Sequence, residues 1–201
     1  MGRRTQRWAM IATAAEPPVV TFIGDSWTAG TGASDWDGHA VQACERLGWE
    51  CHVLGVAGSG YLSTGLGAPF AERIPRALAA DPDVIVVQGS TNDYAQDPAS
   101  LASAASSTLT RLRTEADPDT DILVLGGSYT PGLASPAVEG STLPWQLGAA
   151  AAGVTFIDIA GQKWTDPSDP TIWADPSHPD DRAHARIAER LAPLLRGLVG
   201  A

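Results

Sequence analysis

Short apolar runs alternate with helix-like segments along nearly the whole chain, and that alternation leaves few folds open. Val19–Ile23, Glu50–Leu54, Val84–Val87, Ile122–Leu125 and Val154–Ile159 read as strands, rich in β-branched and aromatic residues. Between them His39–Leu47 (stopped by Gly48), Ile74–Ala80, Ala99–Glu115 and a short alanine-rich stretch, Trp145–Ala152, read as helices. A last helix is expected from Pro179 to Leu198. Pro179, Asp180 and Asp181 suit its positive end, and Ile187, Leu191, Leu194 and Leu198 line a buried face. Strands alternating with helices imply a parallel sheet covered on both faces. The expected architecture is α/β, a three-layer α/β/α sandwich around a five-stranded parallel sheet. The segments Tyr129–Leu143 and Lys163–Asp175 read as long loops, which in a compact domain tend to be functional.

The 201 residues fit one domain, taken as 18–201, behind an N-terminal leader at 1–17. In that leader Arg3, Arg4 and Arg7 precede an apolar stretch, Trp8–Ala15, and then Glu16-Pro17-Pro18. The order is that of a secretory signal, but a disordered leader fits as well, so secreted and cytoplasmic locations both stay open. A formal net charge of -10 argues against nucleic acid or an anionic membrane surface as partner. No run of 18 apolar residues is present, so no membrane-spanning segment is expected. Cys44 and Cys51 could form a small disulfide or remain as two thiols, and two cysteines are too few for a structural zinc site.

Chemistry gathers where strands end. The first strand stops at Gly24-Asp25-Ser26, which leaves a serine at its carboxyl end, where ligand crevices form in open α/β sheets. Serine needs a base to take its proton. Among the histidines, His52 lies in a strand and reads as structural, His39 at a helix start reads as a surface residue, and His184, inside the last helix, reads as packing or hydrogen-bonding locally. His178 differs, because Asp175 precedes it by three residues in Asp175-Pro176-Ser177-His178-Pro179. A carboxylate at that spacing can hold Nδ1–H and leave Nε2 free as a base, although a turn capping the last helix is the plainer use of the same residues. The second strand runs into Gly55-Val56-Ala57-Gly58 and the third into Gly89-Ser90-Thr91-Asn92-Asp93, each an ordinary turn when taken alone. A flavodoxin-like strand order, 2-1-3-4-5, would bring all of these turns to one edge of the sheet.

Taken together in this order, the four blocks resemble the SGNH hydrolases, also called the GDSL esterase/lipase family. The blocks are Phe22-Ile23-Gly24-Asp25-Ser26, Gly55–Gly58, Ser90-Thr91-Asn92-Asp93 and Asp175-Pro176-Ser177-His178-Pro179. Trp27 stands where the family often has leucine, Ser90 where it usually has glycine, and Val53-Leu54 where it often has asparagine. The resemblance implies Ser26 as nucleophile, His178 as base and Asp175 as its orienting partner. The oxyanion hole would comprise the N–H groups of Ser26 and Gly58 and the side-chain amide of Asn92. Asp25 and Asp93 would brace the loops, and neither a metal nor an organic cofactor would be required.

The substrate implied is an acyl ester, small or carried on a carbohydrate. Trp27, Trp145, Trp164 and Trp173 fall in or near predicted loops. Exposed indoles at a crevice could stack on a sugar or small acyl group, with Trp27 and Trp173 the candidates for substrate binding; packing at the rim is the plainer reading. The expected activity is hydrolysis of small acyl esters, including carbohydrate O-acetyl esters, through an acyl-enzyme. Alternatives are an acyltransferase using the same site and a catalytically inactive sugar-binding module.

Overall fold

A computed structural model describes residues 16–89, 91–133 and 135–200. Most of the expected leader, residues 1–15, and Ser90 of the third block lie outside the described residues.

The sheet comprises β1 (Val19–Gly24), β2 (Glu50–Gly55), β3 (Val84–Gln88), β4 (Asp121–Leu125) and β5 (Thr155–Ile157), all parallel, in the order β2-β1-β3-β4-β5. Two helices cover one face: α1 (His39–Leu47) and α5 (Asp181–Val199). Val20 and Phe22 of β1 and Val84 and Val86 of β3 meet Ala40, Ala43, Ile187 and Leu191 there. The other face carries α2 (Ile74–Leu78), α3 (Pro98–Glu115) and α4 (Ser135–Ala152). Ile23, Ile85, Val87 and Val124 pack on that side against Ile74, Leu109, Leu112 and Trp145. Adjacent residues of a strand thus enter opposite cores, which is why these strands are apolar throughout. Each Leu, Ile or Phe so buried contributes roughly 1.5–3 kcal/mol. Among the described residues, no helix is long and apolar enough to cross a membrane.

Several sequence expectations shift. α4 begins at Ser135 rather than near Trp145, so most of the segment read as a loop, Tyr129–Leu143, is helical. The prolines misled there: Pro136 falls in the first turn, where a missing N–H costs nothing, and Pro144 is tolerated inside the helix beside fully buried Trp145. α5 starts two residues later than expected. Asp180 is its N-cap, accepting from the N–H groups of Arg182 and Ala183 at 2.9 and 3.0 Å, and Pro179 lies before the helix, in a bridge with Trp173. Its buried stripe runs Ile187, Leu191, Leu195, with Leu194 and Leu198 on the flank. β5 is shorter than the apolar run that announced it. Cys44 and Cys51 are unbridged thiols, and contact with Cys51 together with burial pushes the Cys44 thiol up.

Candidate active site

β1 ends at Gly24, where a Cβ would collide with the hydroxyl of Thr28, so only glycine fits beneath the turn that follows. That turn is helical in character: Ala29 N–H donates to the Asp25 carbonyl at 3.0 Å and Thr31 N–H to the Ser26 carbonyl at 2.9 Å. Asp25 is buried and accepts the Trp27 N–H at 2.9 Å through one oxygen and the Asn92 amide nitrogen at 3.2 Å through the other. The Thr28 hydroxyl bonds to Gln88 at the end of β3. Ser26 is thereby fixed on a rigid shelf, 7% exposed, where it lines a cleft.

His178 reaches that hydroxyl from the loop before α5, its Nε2 3.0 Å from Ser26 Oγ. Its Nδ1 lies 2.8 Å from one oxygen of Asp175, while the other oxygen accepts the N–H groups of Ser177 and His178 at 2.7 and 2.8 Å. With Nδ1 protonated toward the carboxylate, Nε2 is left as the acceptor for the serine proton. Burial alone would raise the Asp175 carboxyl; these hydrogen bonds and the nearby imidazole outweigh it and hold the group below the usual carboxylate range. The loop is clasped from both sides: Trp27 Nε1–H donates to the Ser177 carbonyl at 2.8 Å, and Gly132 N–H to the Pro176 carbonyl at 2.7 Å. Gly32, at φ +94°, passes so close to the Pro179 carbonyl that a side chain would displace it.

The turn after β2 brings Gly58 to the same rim at φ +75°. The backbone N–H groups of Ser26 and Gly58 donate to nothing else among the described residues. Asn92 lies in the short 3-10 turn Thr91–Asp93 beyond β3, its amide nitrogen 3.0 Å from the Ser59 carbonyl, and it lines the cleft with Ser26, Gly58 and His178. Buried Asp93 anchors the loop that follows Gly58, accepting the N–H groups of Tyr61 and Ser63 at 2.6 and 2.9 Å. Asp25 and Asp93 are braces in this geometry.

The cleft has a volume of about 430 Å³, and Trp27, Thr31, Thr91, Tyr94, Thr130 and Leu133 complete much of its wall. Trp27 is only 4% exposed, whereas Tyr94 is half exposed. Trp173 does not line the cleft: its ring packs against Trp27 with centroids 5.9 Å apart, and its Nε1–H donates to the Asp166 carbonyl. Trp145 and Trp164 are core residues rather than rim residues.

The parallel five-stranded sheet matches the fold of known proteins. Residues 22–186 match the GDSL-like Lipase/Acylhydrolase family. The chain belongs to that family. A GDSL lipase of Mycobacterium tuberculosis is 31% identical over 191 residues, covering 88% of this chain and 80% of the relative. Among solved structures, a family two carbohydrate esterase from Clostridium thermocellum shares the fold at TM-score 0.76 and 19% identity, over 94% of this chain and 67% of that one. A lipase/acylhydrolase from Enterococcus faecalis does so at TM-score 0.70 and 16% identity, over 90% and 96%. This GDSL hydrolase is therefore a carboxylic-ester hydrolase by family.

Sequence reasoning missed two features of the GDSL site. His39, expected at the surface, is fully buried against His184. The His39 N–H and Nδ1 lie 3.1 and 3.2 Å from His184 Nδ1, which must accept, so His184 Nε2–H donates to the Thr31 carbonyl at 3.2 Å. Both rings are neutral in this arrangement: burial and then the neighbouring His184 hold His39 well below its ordinary range, and burial lowers His184 despite Thr31, Asp181 and Asp180. Arg73 is the other; it lies at helical spacing among Phe70, Ile74 and Ala77, a signal present in the sequence. His52, expected to be structural, is half exposed and pairs with Glu50 at 2.9 Å.

Proposed function

We propose that this GDSL hydrolase cleaves esters of small acyl groups, carbohydrate O-acetyl esters among them, through an acyl-enzyme on Ser26. The carrying observation is the continuous relay from Ser26 Oγ through the His178 ring to Asp175, at 3.0 and 2.8 Å. As Ser26 Oγ attacks the carbonyl carbon, its proton passes to His178 Nε2. The carbonyl oxygen becomes an oxyanion held by the N–H groups of Ser26 and Gly58 and by the Asn92 amide. At rest Asn92 Nδ2 bonds the Ser59 carbonyl at 3.0 Å and Asp25 at 3.2 Å; the longer bond, to Asp25, is the one an oxyanion would draw on. Collapse of the tetrahedral adduct expels the alcohol, which takes the proton from His178. Water then attacks the acyl-serine with His178 again as base, releasing the acid and restoring Ser26.

The wall of the cleft supports a small, polar substrate. Its volume is near the lower end for ligand sites, and threonines, Ser177 and Asn92 supply hydroxyls and an amide where a lipase would present an apolar trough. Half-exposed Tyr94 offers a face on which a sugar ring could rest. Trp27 is the indole placed to meet substrate, with Trp173 supporting it from behind. The test is hydrolysis of p-nitrophenyl acetate, butyrate and octanoate, and release of acetate from an acetylated polysaccharide. Acetyl and butyryl turnover abolished by Ser26→Ala is expected. A rate that climbs steadily to octanoate would contradict the small-acyl reading. Transfer of acetyl to added alcohol in preference to water would move the assignment to an acyltransferase.

A further inference from the structure

A guanidinium buried beneath the oxyanion turn takes no part in the chemistry above. Phe70, Arg73, Ile74 and Ala77 share the face that meets the sheet, and Arg73, at 8% exposure, is the charged residue among them. Its Nη1 donates to the carbonyl of Gly24 at 2.7 Å and to that of Leu54, its Nη2 donates to Ser59 Oγ at 2.7 Å, and the group lies 5.0 Å from the centre of the Phe70 ring. Burial draws its pKa down to about 10, with the Asp25 charge opposing, so it stays a cation at neutral pH. Every acceptor it bonds is neutral. A buried cation so placed is a poor device for stability alone, since an apolar side chain of the same size avoids the desolvation cost.

What the acceptors share is position. The Gly24 carbonyl directly precedes Asp25-Ser26, the Leu54 carbonyl precedes the turn carrying Gly58, and Ser59 follows Gly58 and offers its own carbonyl to Asn92 at 3.0 Å. We infer that Arg73 is a positioning residue for the oxyanion donors: it locks the Gly58–Ser59 turn against the ends of β1 and β2 and so sets where the Gly58 N–H and the Asn92 amide point. This rests on the serine-esterase reading above.

The experiment measures kcat and KM on p-nitrophenyl acetate, inhibition by an arylboronic acid that adds to the serine oxygen as a tetrahedral anion, and the thermal midpoint. The proteins are wild type, Arg73→Lys, Ser59→Ala, Asn92→Ala and the Arg73→Lys/Asn92→Ala double variant. Lysine keeps the charge and three donors, but they radiate from a single nitrogen and cannot reproduce the planar fork in which Nη1 and Nη2 serve the three acceptors. Arg73→Lys should lower kcat by about 10- to 100-fold with KM within about twofold, and weaken the boronate in parallel, as a slight misplacement of donors does. Combined with Asn92→Ala, its effect should fall well short of multiplying, because it acts in part through that donor. Ser59→Ala, which deletes one acceptor, should cost about 3- to 10-fold in kcat at unchanged KM, and it carries the test where Arg73→Lys does not fold. Wild-type kcat and boronate affinity in these variants, or full multiplication in the double, would overturn the inference alone. A wild-type protein without turnover sensitive to Ser26→Ala would overturn the esterase reading, and this inference with it.

Discussion

On the proposed serine-esterase reading, the nucleophile and base halves of the site are built in opposite ways. The nucleophile half is buried and held by partners far away in the chain: Asp25 by Asn92, Gly24 by Arg73, Thr28 by Gln88. The base half is a short exposed loop that holds itself, with Asp175 bonded to residues two and three positions on and its side chain 49% exposed. Ser26 is thus an outgrowth of the core, and its position depends on the sheet. His178 is set by local turn geometry plus a few clasps, from Trp27 and Gly132 above all. Damage to the first half should cost rate through geometry, and damage to the second through lost acid–base chemistry.

The largest expected effect joins the halves. Ser26→Ala and His178→Ala should each lower kcat by about 10⁵–10⁶-fold, and the double variant hardly more, since the pair acts as a unit. Multiplying losses, read on the acetyl ester, would separate the two residues. Asp175→Asn comes next, at about 10³-fold. A half-exposed carboxylate is screened by solvent and orients the ring for less than the ~10⁴-fold of a buried one. Loss equal to that of His178→Ala would make the base half as tightly coupled as the nucleophile half.

Smaller effects fall on stability. Gly32→Ala places a side chain at φ +94° against the Pro179 carbonyl, pressing the two halves apart. It should cost about 1–3 kcal/mol in urea unfolding and lower kcat as well; unchanged kcat would show that the base loop keeps its place without that contact. The least effect is a pH slope from the neutral His39–His184 pair behind Thr31. Both folded pKa values are lowered, so the unfolded chain binds protons first as pH falls below about 6.5. The stability the pair contributes is whole above that pH and drains away below it, by at most about 1.4 kcal/mol per pH unit for each ring. Carboxylates held low, Asp175 among them, add a similar loss only in the more acid range. Urea midpoints between pH 7.5 and 5 should fall for wild type and fall less for His39→Gln; equal slopes would mean the pair titrates as it does unfolded.

What the sequence disclosed follows the same division. The base loop was legible because its partners are neighbours: Asp175, Ser177 and His178 bond within the span of a single motif. The strands and the Gly24-Asp25-Ser26 turn were legible because apolar runs and a glycine mark strand ends; the strand order was expected only by likeness to flavodoxin-like sheets. The partners of Arg73, His39 and His184 were not legible, because they lie in other elements; helical spacing marks Arg73 as inward-facing and His184 was expected to pack, but neither signal names what the side chain bonds. Trp145 and Trp164 misled: indoles beside predicted loops suit a crevice, yet both fill the core. The start of α4 was hidden by Pro136 and Pro144, whose effect depends on their place in the helix and on the packing around Trp145.

On the proposed reading, turns from separate parts of the chain converge to activate one hydroxyl. Reaction with a fluorophosphonate at neutral pH, followed by peptide mass mapping, tests it most directly. Rapid, stoichiometric modification at Ser26 is expected, and His178→Ala should slow it by orders of magnitude. Modification at another residue, or none in a folded wild-type protein, would contradict it.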